Sequence, residues 1–428
     1  MKFQKTMVSV LSALFLLLSL FGCTSKDAQT SANTPSSNKD QVEIYIYQNK
    51  VEIDKGLKAA CNAYTASHPN VTFKIESNSN DYATSLKAMF AGGNAPDIFS
   101  TQGNDDLALM KDYTADLSDQ PWVANMSEPS RASGTIDGKV LGWPLIVEGY
   151  GYLYHKDLFE AAGITELPKT RDELILVCEQ LKAHGIEPML TNYAEWYQTG
   201  VYYMNMAIAR QDDPMTFMDG LTAGTVNLVG NKEFEDLTAW ISVEMENSLS
   251  PLNMDFNTQM AKFCMKEAAI TLGGNFSQPT LDEVDPDMDI GMFPIPLGND
   301  AEANDRYYVG ANTFWSVYDQ SSNKEAAKDF LIWLCMDPEG QSHLVSSLKV
   351  LPGFTNVEAD KDAIGPTGLA ILEYITSGKT YGYLHNYFPT GMGACMVFGE
   401  TIDKYAAGNL SAEQMLEQLQ VDWQNAGK

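Results

Sequence analysis

The chain has 428 residues, with 28 Lys and Arg against 56 Asp and Glu, a formal charge of -28 and 44% hydrophobic residues. Acidic residues spread along the whole length argue against nucleic acid or an anionic membrane surface as the main partner, and the length and apolar content suit a body whose core is divided between lobes. Six cysteines without a CxxC spacing and five scattered histidines predict free thiols and neither a disulfide framework nor a metal site.

Lys2 and Lys5 precede an apolar run from Met7 to Phe21 that is too short and wrongly flanked for a membrane span and reads as an export signal. The run ends in Leu20, Phe21, Gly22 and Cys23, which resembles the lipobox of bacterial lipoproteins. That resemblance implies a signal peptide over residues 1–22 and a lipid on Cys23. An uncleaved N-terminal anchor is the alternative, and both place the body outside the cytoplasm. Residues 23–40 are rich in Ser, Thr, Asn and Pro with no large apolar side chain, so a flexible tether is expected there.

The body opens with the β-rich alternation Val42 to Tyr47. Asp54 to Ala66 then sets Leu57, Ala60, Cys61 and Tyr64 on one helical face, and Val71 to Glu76 is a second strand. Tyr82, Leu86, Met89 and Phe90 form another stripe closed by Gly92 and Gly93, before a third strand from Ala95 to Phe99. Strands alternating with helices predict a mainly parallel sheet covered on both faces, with ligands beyond the carboxyl ends of its strands. Gln48 after the first strand and Asn104 and Asp105 after the third are therefore candidates, although Asn and Asp more commonly cap turns.

The stretch Gly138 to Gly163, GKVLGWPLIVEGYGYLYHKDLFEAAG, reads as a crossing point between two units. It passes from a turn through Trp143 and Pro144 into the β-rich run Tyr150 to Tyr154, then a short helix stopped by Gly163. Glu148 just before that run is either a solvated carboxylate at a strand edge or a hydrogen-bond acceptor facing a cleft. Beyond it, Thr170 and Glu173 form a capping box for a helix ended by Gly185, and Asn192 to Gln198 is an aromatic cluster in which Trp196 is core or site. Phe234, Leu237, Trp240, Ile241 and Met245 stripe a further helix. AAITLGGNF begins as a buried strand whose Gly273 and Gly274 would let backbone approach a ligand.

Three runs in this order, GNAPDIFSTQGNDDLALM, the Gly138 to Gly163 stretch, and FCMKEAAITLGGNFS, resemble the extracellular solute-binding proteins of sugar importers driven by ATP-binding cassettes, the maltose-binding type. The resemblance implies a periplasmic-binding-protein-like α/β fold of type II: two lobes, each a mainly parallel sheet flanked by helices, joined by hinge strands. Residues 41–148 with 291–345 would form the first lobe and 149–290 with 346–428 the second, with Gly291 to Gly298 returning into the first. It further implies a receptor that holds a carbohydrate between the lobes without altering it. Glu148 would bond sugar hydroxyls, Trp196 and Phe276 would stack on a pyranose, and Gln48, Asn104, Asp105, Asn275 and Asn312 would supply polar contacts, with Tyr387 a further stacking candidate. The implied partners are the sugar, the membrane permease of the importer, and the membrane itself through the lipid anchor. The receptor would be a monomer needing no cofactor.

A secreted glycoside hydrolase is the rival reading, since such an enzyme needs two carboxyl groups facing one bond. Glu148, Asp105 and Glu195 are available, but no signature singles out a pair, and no nucleophile elbow, phosphate loop or HExxH helix is present.

Overall fold

The computed structural model describes residues 41–78, 82–249, 251–389 and 392–426, so the export signal, Cys23 and the whole tether lie outside the described residues. Within the body, β1 (Val42–Gln48), β2 (Val71–Ser77) and β3 (Ile98–Thr101) lie parallel in the order β2, β1, β3, each followed by a helix, as the alternation predicts. A hairpin of β4 (Thr135–Ile136) and β5 (Lys139–Val140) turns through Asp137 and Gly138, both at positive φ. The chain then enters β6 (Trp143–His155), 13 residues long and buried along nearly its whole length. The later strands are β7 (Met189–Leu190), β8 (Ile270–Gly274), β9 (Ile290–Phe293), β10 (Tyr307–Val317) and β11 (Thr380–Gly382).

The main sheet runs β2, β1, β3, β10, β6, β8, β7, with β9 paired to β6 and β11 to β10. The expected parallel pairing holds at β2, β1 and β3 and between β7 and β8, while β10 runs antiparallel to β3 and β6, and β6 antiparallel to β8 and β9. The mixed direction has a simple cause. β6 carries the chain out of one core into another and β10 brings it back, so the two must oppose each other.

Those cores are separate. Ile44, Ile46, Leu57, Trp143, Trp315 and Phe330 belong to one, and Tyr150, Tyr152, Tyr203, Tyr308, Trp240 and Trp423 to the other. Each end of the β6 and β10 ladder is fastened by a cross-strand aromatic stack: Trp143 on Trp315 at 5.5 Å in the first core, Tyr150 on Tyr308 at 5.0 Å in the second. This is the expected two-lobed α/β fold. Two segments pack differently from the sequence division. Phe293, Ile295 and Leu297, expected to return into the first lobe, join the second core because β9 pairs with Tyr152 to His155. Leu348, Val350 and Phe354, expected in the second lobe, join the first core together with Leu344 and Val345, carried there by the packing of the helix at Asp54–Ser67 against residues 343–347.

Local signals hold where they are short-range. Thr170 and Glu173 make both bonds of the capping box, and Ser411 Oγ accepts from Gln414 N–H at the start of the last helix. The five cysteines of the body are free, four of them buried. No helix among the described residues is long and apolar enough to cross a membrane.

Candidate ligand-binding cleft

Glu148 sits on β6 opposite Gly310 of β10, where the strands pass from one core to the other, and is only 3% exposed. Its carboxylate is engaged from two sides. Lys50 Nζ forms an ion pair with Oε1, and Asn312 Nδ2 donates to Oε2 at 2.8 Å. Lys50 reaches it because Gln48, fully buried at the end of β1, knots the following loop: its Nε2 donates to Lys50 O, Asp54 Oδ1 and Ser77 Oγ at 2.6–2.8 Å, and its Oε1 accepts from Lys50 N–H at 2.6 Å. Burial works against the Lys50 charge, yet Glu148 and Glu52 outweigh it and hold its pKa above the usual lysine value. Gln48 thus acts on this cleft through the loop it positions.

The second lobe grips the same point. Asn275 follows β8, and its side-chain amide accepts from Gly149 N–H at 2.9 Å and donates to Val147 O at 3.0 Å, bracketing Glu148 along the strand. The approach requires Gly274, where a Cβ would lie 2.2 Å from Gly149 O. Asn275, expected to face the ligand, spends both polar atoms on the crossing strand. Next to it, Phe276 is half-buried with its ring 6.2 Å from Tyr202.

Tyr202 centres an aromatic wall. It lies in a π-helical turn, Gln198–Tyr203, and stacks on Tyr150 at 4.5 Å, with Tyr383 5.8 Å and Tyr197 5.8 Å away. Tyr383 continues to His385 at 4.4 Å, and Tyr197 to Trp196 at 6.0 Å. Trp196 and Tyr387 are half-buried at the edge of the second core.

Around this wall are buried polar atoms without a hydrogen-bond partner: Asn49 Oδ1, Asn104 Nδ2, Asn312 Oδ1, His385 Nδ1 and Asn386 Nδ2. They come from both lobes. Gly103, at φ +64, brings the helix of Asn104 against the His385–Tyr387 turn, and a Cβ there would stand 3.2 Å from Asn386 Nδ2. Burial, reinforced by the Lys50 charge, lowers the His385 pKa to about 3, so its ring is neutral. Of the sequence candidates, Glu148, Asn312 and Asn104 come together here; the Asp105 side chain lies outside the described residues. Glu195, a candidate for a hydrolytic pair, instead accepts from Phe256 N–H at 3.1 Å.

Asn49, Lys50, Tyr202, Tyr383, His385 and Asn386 are cleft residues that sequence reasoning missed. Lys50 stands in the same loop as Gln48, and the rule that pointed to the end of β1 covers it equally. The aromatic-rich run YGYLHNY was a usable signal, of which only Tyr387 was taken up. A neutral set of donors and acceptors beside aromatic faces can receive a polyhydroxylated guest, whose hydroxyls both donate and accept.

Among related proteins, the melibiose/raffinose/stachyose-binding protein MelE of Bacillus subtilis (strain 168) is 22% identical over 419 residues, 96% of this chain and 94% of its own. The multiple sugar-binding protein of Streptococcus mutans is 22% identical over 65% of this chain and 69% of its own. Among solved structures, the solute-binding protein RafE in complex with raffinose superimposes with a TM-score of 0.77 at 17% identity, covering 91% of this chain and 100% of that one. A sugar transporter from Bacillus licheniformis in complex with stachyose gives 0.71 at 21% identity, with 90% and 100% covered. At these identities the structures speak for the fold. The family model described as bacterial extracellular solute-binding protein matches residues 48–337, and the chain belongs to that family.

Proposed function

We propose that this protein captures a carbohydrate in the cleft between its lobes and delivers it to the permease of an ATP-binding-cassette importer without changing it. The observation that carries this reading is the set of unpartnered, buried, neutral polar atoms from both lobes, gathered beside the Tyr202 wall. Each such group costs about 1–3 kcal/mol when left unbonded, so a guest that supplies the missing bonds is favoured in this form of the molecule. Relatives named for raffinose, stachyose and multiple sugars support the ligand class.

In this reading one lobe is built on the core of Trp143 and Trp315 and the other on that of Tyr150 and Tyr308, hinged where Glu148 meets Asn312. A sugar that touches both lobes stabilises the closed arrangement by the bonds it makes only there. Asn104, Asn312, Asn386 and His385 bond its hydroxyls, Trp196, Phe276, Tyr202 and Tyr387 cover its apolar faces, and Glu148 completes the site. Cys23 carries the lipid, residues 24–40 tether a monomeric body to the outer face of the cell membrane, and no bond of the sugar is broken. The test is a thermal-shift screen of the purified chain against mono- and oligosaccharides, with product analysis of every hit. A sugar at about 100 times its dissociation constant adds about 2.7 kcal/mol of stability, and it should be recovered intact. No response across the panel would remove the carbohydrate, and a cleaved sugar would replace the receptor by a hydrolase.

A further inference from the structure

The charges of the cleft say more about the ligand, on the footing that it is a carbohydrate. The Lys50 ammonium lies between two carboxylates: Glu148, with which it is ion-paired, and Glu52, whose Oε1 is 3.6 Å away. Lys50 carries one positive charge and the pair of glutamates two negative ones, so the cluster is one negative charge in excess. Glu148 is spent on Lys50 and Asn312, whereas 23% of the Glu52 side chain remains exposed. Burial pushes the Glu52 carboxyl upward, and the Lys50 charge beside it pulls it back.

Among the described residues named for the cleft, none adds a positive charge to that of Lys50. Asn49, Asn104, Asn312 and Asn386 are amides, and His385 is neutral. The hydroxyls of Tyr202 and Tyr383 are held protonated, first by burial, then in Tyr202 by the nearby Glu148 and in Tyr383 by the two tyrosines beside it. A sugar bearing a carboxylate or phosphate would bring its charge against this excess, or would have to displace Glu148 from Lys50. We propose that the cleft selects uncharged sugars over anionic ones, and that Glu52 sets the selection by keeping the Lys50, Glu148 and Glu52 cluster net negative.

At a separation of several ångströms and an effective dielectric constant of about 20, one like charge changes an affinity by about tenfold or more. The effect is electrostatic and shrinks at high salt. Glu52 therefore governs the ratio of two affinities.

The experiment is isothermal titration of the full-length chain with raffinose, and with the uronate made by oxidising C6 of its galactose unit to a carboxylate, at pH 7.5 and low salt. The native chain should prefer raffinose by about tenfold or more, and Glu52→Gln should cut the preference by about the same factor. Equal or tighter binding of the uronate by the native chain would overturn the proposal while leaving a carbohydrate receptor in place. So would an unchanged ratio in Glu52→Gln with a native melting curve. Binding of neither sugar would instead withdraw raffinose-type carbohydrate as the ligand, and this selection with it.

Discussion

Replacing Glu148 by Gln tests the centre of the cleft, because the structure gives this carboxylate structural partners in Lys50 and Asn312 while the proposed function also sets it against the ligand. The substitution keeps the size of the side chain and a neutral bond to Asn312, but it leaves Lys50 charged and largely covered, with 18% of its side chain exposed. Removing one member of a fully buried pair costs about 3–5 kcal/mol. Lys50 is not fully enclosed and retains Glu52 at 3.6 Å, which brings the expected loss to about 2–3 kcal/mol. Urea unfolding followed by tryptophan fluorescence would read this as a lower midpoint at unchanged slope for the transition that reports the first lobe. Titration with the sugar would show weaker binding in the same variant. Changing both partners, Lys50→Met with Glu148→Leu, should recover much of the stability but not the binding, since no charge is then stranded. A Glu148→Gln protein that unfolds at the native midpoint while losing the sugar would refute the pairing and make Glu148 a ligand contact alone.

Asn275→Ala removes the partner of two buried backbone groups, Val147 C=O and Gly149 N–H, and should cost about 2 kcal/mol or more in urea unfolding; a native midpoint would mean that the bracket carries no load. Trp196→Ala should weaken sugar binding by about 1 kcal/mol in calorimetry, the scale of one aromatic contact, and an unchanged affinity takes Trp196 out of the site. Glu244 predicts a pH dependence of stability. It is fully buried in the second core, where the hydroxyls of Tyr152 and Tyr193 donate to it at 2.8 and 3.3 Å and that of Tyr203 also donates. Burial raises its pKa from 4.5 to about 7, with the three hydroxyls pulling back. Between these values the folded chain holds a proton that the unfolded chain has released, so stability falls as pH rises through the window, by on the order of 3 kcal/mol in all. Glu244→Gln should flatten that part of the profile, and a profile identical to the native one would rule Glu244 out as its source.

By itself the sequence determined what depends on neighbours along the chain. The alternation of Val42 to Tyr47, the helical stripe through Leu57 and Tyr64, and the Thr170 and Glu173 capping box are set by repeats of two and 3.6 residues and by hydrogen bonds spanning a single turn, and each is found as read. The pattern around Glu148 left open a solvated edge carboxylate or a cleft acceptor, and the family resemblance favoured the second; the structure buries the carboxylate against Lys50 and Asn312. The tertiary structure decided what depends on partners distant in sequence. Lys50 resembles any solvated lysine after a strand until Glu148, 98 positions away, takes its charge. Asn275 reads as a free amide beside a glycine turn until β8 pairs with β6 and presents both its polar atoms to the crossing backbone. Tyr383 and His385 enter the cleft because β11 pairs with β10, and the opposed directions of β6 and β10 follow from a chain that must leave one core and return to it. Periodicity announces which face of an element is buried. Which group meets it there is settled by packing, where charge, hydrogen bonds and shape must be satisfied together.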